Sequence, residues 1–286
     1  MRTAVVGHLE WSRFALVERV PEVGGIVHAE ASWHGVGGTG AVAAVQLVRL
    51  GASCTLYTAL GDDEPGMNAR AGLEERGVRV EADPRPEGTR EAFTFLDAAG
   101  ARTITVLGRE TLGPRGSDLV AWEDLDGMDA VLFVSGDEGC AIHARRGRVM
   151  VASVRGVAAM REAAVVPDAL VGSREDERER YAPGDLTTSP PLVVQTAGAG
   201  GGRWWDDTGG EGRYPVAPLP GPVVDDFGAG DCFVAALTFG LGEGRAPADA
   251  LALAARAGAA CLTGRAPFGG LLEGAPARSG TSHPNV

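Results

Sequence analysis

Basic residues, aromatics and sulfur are all scarce in this chain. Its 26 Lys and Arg are outnumbered by 38 Asp and Glu, for a formal net charge of −12. A nucleic-acid surface needs a basic face that displaces counterions, so the balance argues against a nucleic-acid partner, whereas a small phosphorylated ligand needs only a local positive site. Three Tyr leave little aromatic surface on which bases could stack. The four cysteines, Cys54, Cys140, Cys232 and Cys261, are scattered with no CxxC, which reads as buried free thiols rather than a disulfide or zinc framework. Five His show no metal-ligand spacing. No run approaches the roughly 18 apolar residues of a membrane span, and Met1 to Gly7 turns polar too quickly for a signal peptide; the expectation is a cytoplasmic protein that does not enter a membrane. No G-x-x-x-x-G-K-[ST] occurs, which removes a Walker-type phosphate loop.

What is present is a chain of 286 residues, 44% hydrophobic, punctuated by 43 Gly. That suits a single α/β domain spanning 1–286 with a small lid. Buried strands are expected at 3–7, 54–60, 130–134, 149–152, 169–171, 192–195 and 223–224. Helices are expected at 41–50, stopped by Gly51, at 65–76, stopped by Gly77, and at 231–241 and 247–263. Two patches, 10–34, loosely alternating and interrupted by Gly and Pro, and 88–109, with Thr/Val/Ile alternation, read as β-ribbon that pairs into a small sheet away from the main one. The second is a hairpin turning at Asp97-Ala98-Ala99-Gly100. The charged run 173–180 reads as a solvated helix face with i,i+4 pairing. Trp204-Trp205 reads as a strand-edge or loop packing pair, and the tail 275–286 as frayed.

The chemistry concentrates at Val223-Val224-Asp225-Asp226-Phe227-Gly228-Ala229-Gly230-Asp231. A small-residue turn enters a helix, so free N–H groups and the positive end of the helix dipole make an anion site. Asp231 stands on its rim, where a carboxylate is unfavourable unless it has a task. Taking the proton from a hydroxyl that attacks phosphorus is such a task; stabilising the helix dipole alone is the plainer alternative. Gly35 to Gly40 matches G-x-G-x-x-G, a dinucleotide fingerprint, but follows ribbon-like rather than buried-strand sequence. Asp62 and Asp63 read as caps of the following helix.

Taken in order, these segments resemble the PfkB/ribokinase family of sugar and nucleoside kinases. Residues 225–231 are similar to its D-T-x-G-A-G-D signature, Gly37-Gly38-Thr39-Gly40-Ala41 to its G-G-x-G-A-N, Gly61-Asp62-Asp63-Glu64-Pro65-Gly66 to its G-x-D-x-x-G, and Thr196-Ala197-Gly198 to its T-x-G. The resemblance covers the chain to about Gly270 and implies a ribokinase-like fold, a mostly parallel sheet with helices on both faces and a β-sheet lid. It implies ATP-dependent phosphoryl transfer to a hydroxymethyl group of a sugar or nucleoside-like molecule. Asp231 would be the general base and Gly228, Ala229 and Gly230 the anion hole. Thr196, Gly198 and Gly201 would line the nucleotide site, with the loop around Ala257, Pro267 and Gly269 closing on adenine. Glu10, Ser12, Gly37, Gly38, Val42 and Arg90 would border the substrate, and Asp176 would help to hold Mg²⁺ through water. A monovalent cation and a homodimer formed through the lids are compatible with the resemblance.

The chain also departs from that pattern. Val42 replaces a signature asparagine, Asp226 a threonine, and Ser173-Arg174-Glu175-Asp176 stands where N-x-x-E is expected. Arg90 and Arg102 would matter most if the substrate carried a phosphate of its own; otherwise they read as cross-strand surface charges. These departures motivate a non-catalytic, ligand-sensing relative as the alternative. An NAD-dependent oxidoreductase using residues 35–40 is the third reading.

Overall fold

The computed structural model describes residues 1–108, 113–116 and 121–274. The expected tail and position 109 of the second ribbon lie outside them. The chain runs through β1 (Arg2–Val6), β2 (Glu10–Leu16), β3 (Ala31–Gly37), α1 (Thr39–Arg49), β4 (Ser53–Leu60), α2 (Glu64–Glu74) and β5 (Val78–Pro84). Then come β6 (Glu91–Leu96), β7 (Arg102–Leu107), β8 (Ala130–Phe133), α3 (Glu138–Ala144), β9 (Met150–Ser153), α4 (Val157–Glu162) and β10 (Ala169–Ser173). β11 (Leu192–Thr196), β12 (Gly202–Asp206), β13 (Glu211–Tyr214), α5 (Ala229–Gly242) and α6 (Pro247–Cys261) complete it.

Nine strands form the main sheet in the order β13-β12-β11-β10-β9-β8-β1-β4-β5. It is parallel from β11 to β5, with the antiparallel pair β12 and β13 at one edge. Its central strands are continuous apolar runs because both faces are covered. Along them the pleat sends alternate side chains to opposite sides. Val5, Leu132 and Val151 enter a core with α1, α5 and α6, while Ala4, Val6, Phe133 and Met150 enter a second core with α3 and α4.

The two ribbon patches pair as expected into a separate four-stranded sheet, β3-β2-β6-β7, in which β2 and β6 run parallel. No strand occurs at 18–30, and β3 continues to Gly37, so the glycine run at 35–40 closes a strand of this second sheet. It is therefore not the strand-to-helix turn of a parallel βαβ unit, which the dinucleotide reading requires.

Two further expectations are corrected. Residues 223–224 are not a strand. Pro215, Pro218, Pro220 and Pro222 precede them, and a proline-rich segment lacks the N–H donors that a ladder needs. Nor is 173–180 an α-helix: Ser173 ends β10, Glu177–Glu179 makes only a single 3-10 turn, and Asp176 and Glu179 reach across to Arg155 while Arg178 and Arg180 pair locally. No helix among the described residues is long and apolar enough to cross a membrane.

Candidate active site

α5 begins at Gly228, whose φ of 80° is left-handed. An L side chain is disfavoured there, and its Cβ would stand 3.0 Å from Val42 Cγ1. Gly230 is exposed, with nothing within 4 Å of the place where a side chain would begin. At Gly230 the first turn of this 14-residue helix thus opens onto solvent with no side chain in the way, the kind of helix start to which anions bind. Val42 forms the apolar wall behind it and offers no polar contact.

Asp231 is half-buried in that first turn. Desolvation by the surrounding protein raises its pKa above the ordinary carboxylate value; the Arg102 charge and a hydrogen bond from Thr39 oppose the rise, and Glu179 and Arg155 add smaller effects of opposite sign. A carboxylate made more basic and placed beside an anion site is suited to accept a proton from a hydroxyl.

The two acids before the turn have different tasks. Asp225 is 2% exposed and accepts the N–H groups of Phe227 (3.1 Å) and Ala266 (2.9 Å), bracing the turn against the segment after α6. Burial raises its pKa, against those two hydrogen bonds. Asp226 faces the second sheet. Its carboxylate accepts the backbone N–H of Arg102 (3.1 Å) and pairs with the Arg102 guanidinium at 2.9 Å. The extra negative charge that the sequence places here is therefore neutralised by a partner.

The second sheet comes down on the turn. Phe14 meets Phe227 edge-on at 5.2 Å and stacks on Trp33 at 5.5 Å. On the same face of β2, Glu10 is 4% exposed and pairs with Arg90 at 3.0 Å, and the buried Ser12 hydroxyl lies 3.4 Å from the Glu10 carboxylate. Gly37 ends β3 beside Ser12, and Gly38 caps α1. Thus Glu10, Ser12, Gly37, Gly38, Val42 and Asp231 border one region, with Arg90 bound to Glu10 at its rim.

The expected nucleotide residues lie at the carboxyl ends of the parallel strands. Thr196 ends β11, and Gly198 and Gly201 frame the turn into β12, with the Glu175 carboxylate against Gly198. Ala257 is corrected: it lies within α6 and is wholly buried, so it belongs to helix packing and not to a loop. Pro267 packs against Gly35 of β3, and Gly269 sits in a turn on the backbone of Arg265. Asp176 is held by Arg155 (3.1 Å) and Arg178 (3.2 Å), and Arg155 also binds Glu179 at 2.5 Å. Those guanidiniums, Arg178 foremost, lower its pKa. Asp176 is thus engaged by two guanidiniums, and the described residues contain no cluster of three or more His, Cys, Asp or Glu that could ligate a metal directly.

Three contributors escaped the sequence reading. Thr39 is visible inside a quoted motif but carried no assigned role. Arg155 has no local signal, because its partners come from another loop. His8, just after β1, donates its backbone N–H to Ser135 Oγ at 3.1 Å, and its ring Nδ1 lies 3.1 Å from the same hydroxyl. Burial first, then Arg90 and Arg155, push its pKa from 6.5 to about 3, so it is neutral at physiological pH.

A model of the pfkB family of carbohydrate kinases matches residues 2–154 and 161–267. A ribokinase of Dictyostelium discoideum is 31% identical over 126 residues, 43% of this chain and 37% of that protein. An ATP-dependent ribose-1-phosphate kinase of Halopiger xanaduensis is 30% identical over 122 residues, 41% of each. The matched stretch thus spans about two fifths of these curated relatives. Among solved structures, Arabidopsis thaliana ribokinase complexed with ribose and ATP superposes with a TM-score of 0.70 at 21% identity, covering 91% of this chain and 92% of that one. Its fold is therefore ribokinase-like, and with the family model matched across nearly its whole described length, the chain belongs to the pfkB family of carbohydrate kinases.

Proposed function

We propose that this protein transfers the γ-phosphoryl group of ATP to a hydroxymethyl group of an unphosphorylated sugar or nucleoside-like alcohol. The observation that carries the reading is Asp231, a carboxylate of raised pKa, standing in the first turn of α5 beside the Gly228–Gly230 turn that starts the helix. Asp231 takes the hydroxyl proton as the oxygen attacks phosphorus. The N–H groups of 228–230 receive the charge that develops on the transferred group. Residues 196–201 offer a glycine-lined turn for the nucleotide at the carboxyl end of β11. The ATP in one relative's name and in the complex of another supports the choice of donor.

The preference for a substrate without its own phosphate comes from charge. Both arginines of the second sheet that could grip a phosphate are already matched by acids, Arg90 by Glu10 and Arg102 by Asp226. With Asp231 added, that side carries no net positive charge to attract a dianion. The Glu10 carboxylate and Ser12 hydroxyl instead suit neutral hydroxyl groups. Closing the second sheet as a lid would exclude water and suppress hydrolysis of ATP. A homodimer joined through the outer faces of two lids belongs to the same proposal; sedimentation as a monomer at all concentrations removes it.

The test is mass-spectrometric detection of a phosphorylated product from a panel of neutral sugars, nucleosides and sugar phosphates with Mg-ATP. Product from neutral acceptors is expected. Product from sugar phosphates alone refutes the charge argument. Thermal stabilisation by a sugar without any product favours the ligand-sensing alternative, which the clamped Asp176 also motivates.

A further inference from the structure

Residue 226 touches the second sheet through its side chain and its backbone. The Asp226 carboxylate accepts the Arg102 backbone N–H and pairs with its guanidinium. The Asp226 carbonyl accepts the same guanidinium at 3.1 Å, and the Asp226 N–H donates to Gly100 O at 2.9 Å. Gly100, with φ of 79°, lies so close to the chain that a Cβ would stand 3.1 Å from Val224 O. The tip of the β6–β7 hairpin therefore rests on the strand of chain that leads into the anion turn.

Register places Arg102 opposite Leu96 and Ile104 opposite Thr94, on the face of the sheet that also carries Phe14, Ser12 and Glu10. From that face the Arg102 charge reaches the Asp231 carboxylate. The root of the sheet is fixed separately by the buried Glu10–Arg90 pair.

We propose that Asp226 and Arg102 form a latch that holds the tip of the second sheet against the anion turn before any substrate is bound, with Asp226 as a positioning residue. Both partners are about two fifths exposed, at 43% and 42%. Water competes for such a pair, so the latch is weak and reversible. A covering element that opens in every catalytic cycle needs a fastening of that kind. Opening separates Asp226 from Arg102 and admits a hydroxyl to Asp231; closing restores the pair. This rests on the phosphoryl-transfer reading only for its kinetic consequence.

The test is hydrogen–deuterium exchange of the full chain without ligand, read at the amides of 98–106 other than Arg102. Asp226→Ala should speed exchange there by about three- to tenfold. Asp226→Asn should fall between Ala and wild type, because its amide oxygen still accepts the Arg102 N–H. Arg102→Gln, which keeps that N–H, should match Asn. About 0.5 M NaCl should speed exchange in the wild type and leave Asp226→Ala unchanged, since screening acts only where the pair exists. In turnover, Asp226→Ala should raise sugar-independent ATP hydrolysis relative to transfer. Equal exchange in all four proteins overturns the latch, whatever their activity. Exchange differences in a wild type that phosphorylates nothing leave the latch standing and overturn the kinase reading instead.

Discussion

Asp231 is a costly residue for the fold. Its folded pKa is raised, so the folded state holds its proton to higher pH than the unfolded chain does. Stability therefore falls as pH rises through the window between the unfolded and folded values, and the ionised group is a net burden at neutral pH. Asp231→Asn should raise the thermal midpoint at pH 7 while cutting turnover by orders of magnitude; a lower midpoint would contradict the desolvation argument. Activity should decline as acid protonates the base, with an acid limb above the usual carboxylate range. Because Arg102 is the largest opposing influence, ahead of Thr39 and Arg155, Arg102→Ala should move that limb to higher pH in the kcat/KM profile. Asp225 works through geometry. Its two oxygens each accept one buried N–H, so Asp225→Ala should cost about 2–4 kcal/mol in denaturant unfolding, and Asn should recover about half.

At the scale of elements, the site is one helix start and the sheet that descends on it. The helix start requires Gly228: alanine there should cost about 1–2 kcal/mol from backbone alone, with further loss from the contact with Val42. Its turnover should fall together with that stability, since the same distortion turns the N–H groups away; normal turnover in Gly228→Ala would argue against the anion hole. Much of this was legible in the sequence, because glycine turns and helix caps are local signals. Six of the nine strands of the main sheet, the ribbon strands of the second, the helices at 41–50 and 247–263 and the hairpin at 97–100 follow from apolar period and turn chemistry within a few residues, whereas β5, β12 and β13 were not expected as strands. What was not legible depends on partners far along the chain. Residues 223–224 look like a strand by composition, yet the four prolines before them leave no ladder to join. Asp226 looks adverse until Arg102 is seen beside it, 124 positions away. Asp176 looks like an available carboxylate until Arg155 and Arg178 are seen to hold it. Ala257 was misplaced for the opposite reason: its small size suits the close packing of α6 on α5 as well as it suits a loop.

Across the whole molecule, every basic side chain is an arginine, so each charge contact above is made by a planar, always-protonated fork. Charge balance near the sheet edge also sets the response to acid. His8 is neutral in the fold, with its pKa lowered to about 3, whereas the unfolded chain protonates near 6.5. The unfolded state then binds more protons below 6.5, so stability is full above that pH and is lost as acid is added, by at most about 1.4 kcal/mol per pH unit. His8→Gln should flatten the decline of the thermal midpoint between pH 6.5 and 4; an unchanged slope would show that other groups govern it. The central claim concerns the chemistry at α5. Its most direct test is the mass of the product formed from a neutral sugar and Mg-ATP by the wild type and by Asp231→Asn at equal concentration. A gain of one phosphoryl group in the wild type, with at least a hundredfold less from the variant, is the expected result. Equal product from both proteins would contradict the assignment of Asp231 as the base.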